Sequence, residues 1–394
     1  MSEHYYLVEV NDNNHINKFL NLPLSIYKAD NNWIRPLDED IEKVFDKKKN
    51  KLLRNGKVIR WILMDRHEKI IGRIAAFYDP KTAKKEDQLT GGTGFFECIN
   101  DPVAAKMLFD VAKNWLKNEG MEAMDGPVNF GTRDHFWGCL SEGLYEPIYN
   151  MPYNPSYYNE LFEDYGFKNY YKQYTFHLPV IPGKMDTIVR EKAERLKRDK
   201  AYQFRNYDKK EAANIPVWFM EIFNAAWAIF PGVSPMRKAQ AVALFKTMKP
   251  VLDPKLIIFA FYEGKPIAFF LMLPDLFQII KNFNGKFHFL NKLRLIYHLR
   301  IRKTPTRAIG LLFGVIPEYQ GKGVAEGMIS FFEDTVKKGG VNYADLELNW
   351  IAEYNHSMIK LCEQIGGTVR KTHITYRYLF DRNIPFTRAK AFKQ

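Results

Sequence analysis

The sequence predicts a mixed α/β protein that uses one arrangement twice, as two tandem domains that are each a twisted mixed sheet flanked by helices. Three observations lead to this prediction. Segments with the two-residue hydrophobic period of strands alternate with segments that have the helical period. The same order of elements recurs in the two halves of the 394 residues, and part of the first half aligns without gaps with part of the second.

The first half opens with a predicted strand and helix, followed by a hairpin with a polar turn at 65–68. The remaining hydrophobic patterns predict a strand, a helix, a strand, a helix and a strand, in that order. In sequence, these elements lie at 5–10, 14–28, 58–64, 70–77, 95–98, 102–118, 122–130, 156–165 and 169–177.

The second half repeats this order. Its first helix carries apolar residues at helical spacing, and its hairpin turns at 263–266, where Glu-Gly-Lys-Pro has good turn chemistry. Its predicted elements lie at 202–207, 215–228, 256–262, 267–273, 309–315, 322–338, 344–350, 355–365 and 372–380.

Residues 104–130 align with residues 324–350 at a constant offset of 220. Each segment predicts a helix, a stop that contains a glycine, and a strand entered through an aspartate. The matched residues are Gly120 with Gly340 and Asp125 with Asp345. We therefore predict a tandem duplication with domains at 1–182 and 183–394, joined by a charged, solvated helix over 184–200.

Composition and charge narrow the class of protein. With 46% hydrophobic and 26% charged residues the chain is globular, and its three widely spaced cysteines argue against a disulfide framework or a metal site. The sequence shows no secretory signal and no apolar run long enough for a bilayer, which predicts a cytoplasmic protein. The net charge of +13 favours a polyanionic cofactor, an anionic membrane or nucleic acid, and a merely solvated basic surface is the alternative. Nucleic acid is not expected, because no zinc-finger, RNP or basic-zipper pattern is present.

A glycine-bearing corner follows the predicted strand that ends at Val315. Pro317 cannot extend a β-ladder, so the strand stops there. Glycines allow a sharp turn and let an anion approach the backbone N–H groups, and the next helix adds unpaired donors and the positive end of its dipole. The corner therefore predicts a pyrophosphate-binding loop. Its residues are Gln320, Gly321, Lys322, Gly323, Val324 and Ala325.

This loop resembles the acyl-CoA-binding motif of the GNAT superfamily of N-acetyltransferases. The superfamily pattern is Gln/Arg-x-x-Gly-x-Gly/Ala after a strand that ends Val-x-Pro, and Gln320, Gly323 and Ala325 fill it. The resemblance is clearest over 256–380. Four downstream residues match the spacing of the superfamily's next motif, Asn-x-x-Ala-x-x-Leu-Tyr followed by glycine: Asn355, Met358, Leu361 and Gly366.

The resemblance implies acetyl-CoA or a longer acyl-CoA as the co-substrate and an amine as the acceptor. It implies that the backbone N–H groups of 321–325 hold the pyrophosphate. It also implies that the backbone at Val315 meets pantetheine and polarises the thioester carbonyl, and that Asn355 binds pantetheine or the adenylate side.

The general acid and base come from weaker signals. Many GNAT members place a tyrosine after the leucine of the second motif, where this chain has Cys362. Tyr376 or Tyr378 on the last predicted strand, or water, is left as the acid. Strand alternation places Glu347 on the face opposite Leu346, and a carboxylate inside a central strand needs a partner or a function. We predict Glu347 as the base that takes a proton from the amine, with a structural hydrogen bond as the alternative.

The first half lacks the glycine loop. At the equivalent corner it has Asp101, which brings a negative charge, and Pro102, which supplies no N–H, although together they make a good helix start. This half is predicted to fold alike without binding CoA there, and to provide a wall of the acceptor site. Its segments 126–138 and 151–158 are rich in aromatic residues, Asn, Gly and Pro, which predicts either a pocket lining or a rigid lid.

An insert at 276–307 separates the second hairpin from the strand that ends at Val315. Residues 276–303 contain seven Lys or Arg and no acid, interleaved with large apolar residues. This composition is typical of a segment at an anionic membrane surface; a helical insert packed over the sheet, with a solvated basic edge, is the alternative. On the first interpretation the protein is peripheral at the inner membrane face, and its acceptor or acyl chain is lipid-like.

The leading hypothesis is an acyl-CoA-dependent N-acyltransferase that moves an acetyl or longer acyl group to an amine. Two alternatives stay open. One is a non-catalytic acyl-CoA sensor or membrane adaptor. The other is a tRNA-dependent aminoacyl transferase, although such relatives usually lack a pyrophosphate loop.

Overall fold

The computed structural model describes residues 4–84, 88–131, 137–180, 186–227, 235–339 and 341–390. Within these ranges the chain forms the predicted mixed α/β fold. The strands are β1 (Tyr5–Glu9), β2 (Lys57–Asp65), β3 (Ile70–Tyr78), β4 (Thr90–Cys98), β5 (Ala123–Gly126), β6 (Cys139–Glu142), β7 (Lys168–Pro179), β8 (Tyr202–Asn206), β9 (Ile257–Tyr262), β10 (Lys265–Pro274), β11 (Arg307–Val315), β12 (Asp345–Ala352) and β13 (Thr368–Leu379). The helices are α1 (Asn13–Ile26), α2 (Asp38–Phe45), α3 (Pro80–Ala83), α4 (Pro102–Asn118), α5 (Tyr157–Tyr165), α6 (Thr187–Arg198), α7 (Ile215–Ala226), α8 (Lys238–Met248), α9 (Phe277–Ile280), α10 (Phe289–Arg300), α11 (Val324–Lys337) and α12 (His356–Gln364).

The chain divides into two compact units. Unit 1 consists of residues up to 174 together with 280–288 and 371–390, and unit 2 consists mainly of 175–279 and 289–370. Both β7 and β13 contribute residues to the two units, because each crosses a division of the chain. The domain boundary between 182 and 183 stays a prediction. Gly340, which helped to align the halves, lies outside the described residues.

Unit 1 contains a sheet with the strand order β1–β2–β3–β4–β5–β13, and β6 also pairs with β13. These pairs are antiparallel except β4 with β5, which run parallel and are connected through α4. Leu108 and Phe109 of α4 lie in one buried cluster with Ile74 of β3. The core of unit 1 therefore lies between α4 and the sheet.

Two strands of unit 1 differ in length from the prediction. β4 begins at Thr90 rather than at 95, because its first residues are rich in glycine, which weakens a strand pattern. Glycine is needed at Gly94, where an added Cβ would collide with the carbonyl oxygen of Val128. β5 ends at Gly126 rather than at 130, since Pro127 has no N–H to extend the ladder.

Unit 2 contains a sheet with the strand order β12–β11–β10–β9–β8. β9 is apolar on both faces: Ile258 and Ala260 pack in a cluster with residues of α6 and α11, while Phe259 and Phe261 pack with residues of α7 and α8. Helices therefore cover both faces of this sheet, which explains its nearly continuous hydrophobic strands.

The helix α6 corrects one prediction. The sequence predicts a solvated joining helix over 184–200, but Val189, Ala193 and Leu196 are buried at helical spacing, and the helix packs against α11. The many charges occupy only its remaining faces. α6 is therefore part of the core of unit 2, and it lies beside the loop that precedes α11.

Candidate active site

The candidate site of unit 2 begins where β11 and β12 separate. Their pairing is parallel, covers four residues of each strand and ends at Gly310 and Leu348. β11 continues to Val315, paired on its other edge with β10, and β12 continues to Ala352. Among the described residues, the second half of β11 thus has one edge to which no strand pairs.

The predicted phosphate loop follows β11 directly. A 3-10 turn over Pro317–Tyr319 leads to Gln320, whose side-chain amide donates a 2.9 Å hydrogen bond to the carbonyl oxygen of Val315. Gly321 and Gly323 have φ angles of 72° and 92°, in the left-handed region that favours glycine. The two glycines therefore form the sharp turn, and Gln320 ties it to the end of the strand.

Backbone donors converge at the start of α11. Gly323 is the N-cap, and the N–H of Gly327 donates to its carbonyl oxygen at 2.9 Å. Within the described part of the chain, no backbone carbonyl accepts from the N–H groups of 321–326, which include those of Val324 and Ala325. These N–H groups and the positive end of the helix dipole make the corner suitable for an anion.

Two charged groups, Lys322 and the Lys192–Glu326 pair, are compatible with an anion at the loop. Lys322 is exposed, and its ammonium group lies 5.1 Å from the ring centroid of Tyr319. Glu326 is the acid in the first turn of α11, and Lys192 of α6 pairs with it at 3.2 Å. The carboxylate nearest to the loop along the helix is therefore already balanced by a cation.

Three tyrosines border the loop, and no sequence motif marks them. The ring centroid of Tyr262 lies 4.8 Å from that of Tyr202 and 5.3 Å from that of Tyr319. All three rings are only half-buried. Aromatic faces beside an anion site suit a nucleotide, which combines a flat base with phosphates.

Glu347, the predicted base, lies in a buried cluster of charges. Its side chain is fully buried, and its Oε1 atom is 3.7 Å from Nε of Arg307 and 3.4 Å from Nε of Arg370. Arg307 also lies 3.5 Å from the buried carboxylate of Asp275. Two carboxylates and two guanidinium groups therefore balance, which offsets the cost of burying the charges. These contacts give Glu347 a structural function, and its action as the base stays a prediction.

The equivalent strand of unit 1 carries a similar ion pair. The sequence alignment matches Asp125 with Asp345, but in the parallel ladders Asp125 corresponds to Glu347, because each is the third paired residue of its strand. The oxygens of Asp125 accept hydrogen bonds of 2.6 and 2.8 Å from Arg377. Unit 1 has no glycine loop, yet its sheet also has a paired acid at this position. The presence of an acid here therefore does not depend on the loop.

The corner of unit 1 that corresponds to the loop is filled by the protein itself. The carboxylate of Asp101 accepts from the N–H groups of Val103 and Ala104 at 2.7 and 3.2 Å. Pro102, the first residue of α4, has no N–H. The donors that stay open in unit 2 are therefore occupied or missing here.

Asn355, the N-cap of α12, and Cys362, where many GNAT members have a tyrosine, have local explanations. Asn355 is exposed and caps the helix, since its side-chain oxygen accepts from the N–H of Met358 at 3.2 Å. Because the side-chain oxygen is used in capping, the side-chain NH₂ group is the part of Asn355 that remains to contact a ligand. Cys362 is buried, and burial raises the pKa of its thiol to about 12. Asn355 as a coenzyme contact stays a prediction.

Tyr376, one of the candidates for the acid, belongs to unit 1. Its ring is fully buried and stacks on Phe162 with the centroids 5.4 Å apart. Its hydroxyl lies 3.0 Å from Oδ1 of Asn159 and 2.9 Å from Oε1 of Glu163, and burial raises its pKa. These are the contacts of a core residue, and the assignment of Tyr376 as the acid stays a prediction.

One polar residue at the strand separation is marked by no sequence motif. Asn349 lies one residue beyond the last pair of β12 with β11 and on the same face as Glu347. Its side-chain oxygen is buried and has no hydrogen-bond partner among the residues that the structure describes. A buried acceptor without a partner is costly, so Asn349 is a candidate contact for a ligand.

Comparisons with known proteins identify relatives of similar length, while no family model matches the chain. A bacterial ceramide synthase from Caulobacter vibrioides is 26% identical over 367 residues, which cover 92% of this chain and 94% of that protein. The protein YghO of Escherichia coli is 24% identical over 372 residues, which cover 92% of each chain.

Solved structures share the fold. A tandem GNAT protein from the clavulanic acid biosynthesis pathway superposes with a TM-score of 0.53 at 10% identity, covering 95% of this chain and 98% of that one. A GCN5-related N-acetyltransferase from Sphaerobacter thermophilus gives a TM-score of 0.53 at 9% identity, covering 98% of both chains. The chain therefore has the tandem fold that these solved N-acetyltransferase structures share.

Proposed function

We propose that this enzyme transfers an acyl group from coenzyme A to an amine, and that the amine belongs to a lipid. The observation that carries the first part is the corner at 320–326. It has two glycines at positive φ. It also has a set of N–H groups that donate no hydrogen bond to a backbone carbonyl of the described residues. A pyrophosphate supplies the charge and the oxygen atoms that such a corner needs.

The surroundings of the corner suit the rest of coenzyme A. Lys322 adds a cation, and Tyr202, Tyr262 and Tyr319 offer aromatic faces to an adenine ring. The unpaired edge of β11 begins at the corner, so the amide groups of pantetheine pair with it like an added strand. The thioester then lies where β11 and β12 separate.

Acyl transfer at this position needs few protein groups. The amine nitrogen attacks the thioester carbonyl, the C–S bond breaks after the C–N bond forms, the sulfur leaves as a thiolate, and the nitrogen gives up a proton. We assign the backbone at Val315 to polarise the carbonyl and Glu347, through a water, to take the proton. Asn349 is the side chain that we expect to orient the amine.

The relative from Caulobacter supports a lipid acceptor. It is called a bacterial ceramide synthase, and a ceramide is the N-acyl derivative of a long-chain amino alcohol. Its match covers nearly the whole of both chains, so the similarity is not limited to one unit. We infer a long-chain amine as the acceptor and a long acyl-CoA as the donor.

Incubation of the full chain with palmitoyl-CoA and sphinganine is expected to release CoA thiol and to form the amide, identified by its mass. The value of kcat/KM for sphinganine should exceed that for ethanolamine by about tenfold or more, since each buried CH₂ group contributes about 0.8 kcal/mol. Coenzyme A binding without thiol release for either amine would contradict transfer and favour an acyl-CoA sensor. Equal rates for the two amines would contradict the lipid acceptor.

The second half of the insert supports contact with a membrane. Residues before α10, among them Phe277, Ile280 and Phe283, are buried, as the alternative interpretation of the insert predicts. α10 buries only Asn291 and Leu295. Large apolar side chains of α10 are exposed to solvent: Phe289 by 71%, Leu290 by 63%, Leu293 by 52%, Ile296 by 39% and Tyr297 by 47%.

Cations are interleaved with these apolar residues along the chain and follow them. They are Lys292, Arg294, Arg300, Arg302 and Lys303, and 276–303 contains no acid. An exposed apolar stripe with basic flanks suits the interface of an anionic bilayer, where each cation contributes about 1 kcal/mol. No helix in the described ranges is both long and apolar enough to cross a bilayer. We propose that α10 lies flat on the inner membrane face.

The double substitution Leu293→Glu and Tyr297→Glu is expected to weaken binding to phosphatidylethanolamine–phosphatidylglycerol vesicles by about a hundredfold. Each apolar side chain contributes about 1.5 kcal/mol or more when it leaves water. Flotation of the full chain measures the bound fraction. Ile188→Glu, at a residue of α6 that is 59% exposed, is the matched control and should bind like the unchanged chain. Binding that survives the double substitution would contradict contact through α10.

A further inference from the structure

Unit 1 contains a pocket that the proposed transfer does not use. The space in which the centre of a water-sized sphere fits measures about 90 Å³, and the open mouth adds further volume. Aromatic and aliphatic side chains form most of its wall. They include Leu20, Trp33, Ile34, Phe95, Met151 and Phe162.

Residues 95–97 of β4 line this pocket, after the part of the strand that pairs with β5. The parallel pairing of β4 with β5 covers only three residues. On the other edge, Arg73 pairs with Glu97 but Ala75 pairs with Gly94, so two residues of β4 face one residue of β3 in a β-bulge. Within the bulge, Phe95 has a φ of 52°, an uncommon conformation for a bulky side chain that is enriched at functional sites.

A buried ion pair lines the pocket. Nη2 of Arg73 lies 3.3 Å from Oε1 of Glu97, and these residues are only 4% and 9% exposed. The hydroxyls of Tyr27 and Tyr158 donate to Oε2 of Glu97, each at 2.8 Å. Nη1 of Arg73 donates to the carbonyl oxygen of Phe19 at 2.6 Å. The protein therefore fixes both charged groups from several sides.

Two atoms of this pair have hydrogen-bonding capacity left. Nε of Arg73 is buried and has no acceptor among the described residues. Oε1 of Glu97 accepts one hydrogen bond of 3.3 Å, whereas a carboxylate oxygen is able to accept two. A ligand group that accepts from the first atom and donates to the second would recover the cost of an unmade buried hydrogen bond, about 1–3 kcal/mol.

A second cluster of charges lies in the pocket wall. Nη2 of Arg35 lies 2.8 Å from Oδ1 of Asp38, and the other oxygen of Asp38 accepts from Lys286 at 2.8 Å. The N–H of Asp38 donates to the carbonyl oxygen of Gly285 at 2.9 Å, so the insert braces this wall. Asp38 therefore pairs with two cations, of which Lys286 is exposed, whereas Arg73 and Glu97 balance each other. A charged head placed at Arg73 and Glu97 would bring a charge that is unpaired.

Both polar-aromatic segments singled out in the first half reach this pocket. Pro127 and Gly138 come from the segment 126–138, and Met151 through Asn154 come from the segment 151–158. Residues 132–136 of the first segment lie outside the described residues. These positions favour the pocket-lining interpretation of the two segments over the lid.

We propose that this pocket of unit 1 binds a neutral single-chain amphiphile, with a hydroxyl or amide head at Arg73 and Glu97 and an alkyl chain along the aromatic wall. A hydroxyl or an amide donates and accepts at once, which matches the two atoms with capacity left. A carboxylate or ammonium head is disfavoured because burying an unpaired charge is costly. This inference is independent of acyl transfer in unit 2.

Calorimetric titration of the full chain with N-octanoylethanolamine tests the proposal. We expect binding, with octanoate and octylamine at least about tenfold weaker, because each brings an unpaired charge. Met151→Trp fills the wall and should weaken binding of the amide by about tenfold or more. Val103→Trp, at a residue of α4 that is 50% exposed, should leave it unchanged. Titration of the same samples with coenzyme A reports the loop separately, so failure of one site is distinguishable from failure of the other.

A second measurement needs no pocket-filling variant. Trp33 lines the pocket and stacks on Tyr27 with the ring centroids 4.8 Å apart. A brominated analogue, N-(8-bromooctanoyl)ethanolamine, should quench a fluorescence component that Trp33→Phe removes. Absence of that quenching, equal affinity for the neutral and charged heads, or undiminished binding by a folded Met151→Trp variant would overturn the proposal.

Discussion

Gly321→Asp is expected to weaken coenzyme A binding about a hundredfold relative to Gly321→Asn. Aspartate and asparagine have the same shape, and both tolerate the φ of 72° found at Gly321. An added Cβ meets no atom within 4 Å there, so the charge alone separates the two variants. A carboxylate beside a pyrophosphate costs about 1–4 kcal/mol for each pair of like charges near 4 Å, and each 1.4 kcal/mol is a factor of ten.

Calorimetric titration with coenzyme A measures this difference. Gly264→Asp is the control for backbone strain, because Gly264 has a φ of 78° and equally open space in the turn between β9 and β10. Gly323 is a less selective position: its Cβ would lie 3.1 Å from Leu196, so Gly323→Asp disturbs the packing of α6 as well. Equal affinities of Gly321→Asp and Gly321→Asn would contradict a pyrophosphate site at this corner.

The loop was predictable because everything that forms it is close in sequence. A strand, a proline, two glycines and a helix follow one another within 307–337. The contact that fixes the corner, from Gln320 to Val315, joins residues five positions apart. Local turn chemistry decides such a structure, and no distant residue has to be known. The hairpins and amphipathic helices were predictable for the same reason.

The candidate site beyond the loop depends on residues that are distant in sequence. Alternation along β12 predicted that Glu347 needs a partner, but Arg307 comes from the neighbouring strand and Arg370 from beyond α12. Three separate elements supply the tyrosines beside the loop. Only the fold brings these side chains together. In β4, glycines made the prediction worse, because they weakened the strand pattern and the first half of the strand was not predicted.

The two units retain different parts of one arrangement. Each has a short parallel ladder followed by separating strands and a β-bulge on the neighbouring edge. In unit 2 the corner is open, and glycines leave its N–H groups for an anion. In unit 1 Asp101 fills that corner, whereas the separation holds the pocket with Arg73 and Glu97. The arrangement thus has two positions where a ligand is able to bind, the corner before the helix and the strand separation. Unit 2 leaves the corner open, and unit 1 has a pocket at the strand separation.

Glu347→Gln is expected to lower the free energy of unfolding of unit 2 by about 3–5 kcal/mol. The substitution removes a fully buried carboxylate and leaves Arg307 and Arg370 with Asp275 as the remaining acid of the cluster. Breaking a buried ion pair from one side has this cost because a charge stays buried without its partner. Urea unfolding measures the change. Glu363→Gln, at an exposed position of α12, should change stability by no more than about 0.5 kcal/mol.

Turnover of the same variant, measured under conditions where it is folded, separates the two functions assigned to Glu347. If its carboxylate takes the proton, kcat falls by about 10²–10⁴-fold while the Kd for coenzyme A is kept. Asp125→Asn is the matched comparison, because it removes a paired carboxylate from the equivalent strand position in the unit without the loop. We expect both variants to lose stability and only Glu347→Gln to lose turnover. Retained turnover per folded molecule in Glu347→Gln would limit that residue to holding Arg307 and Arg370 and would contradict its action as the base.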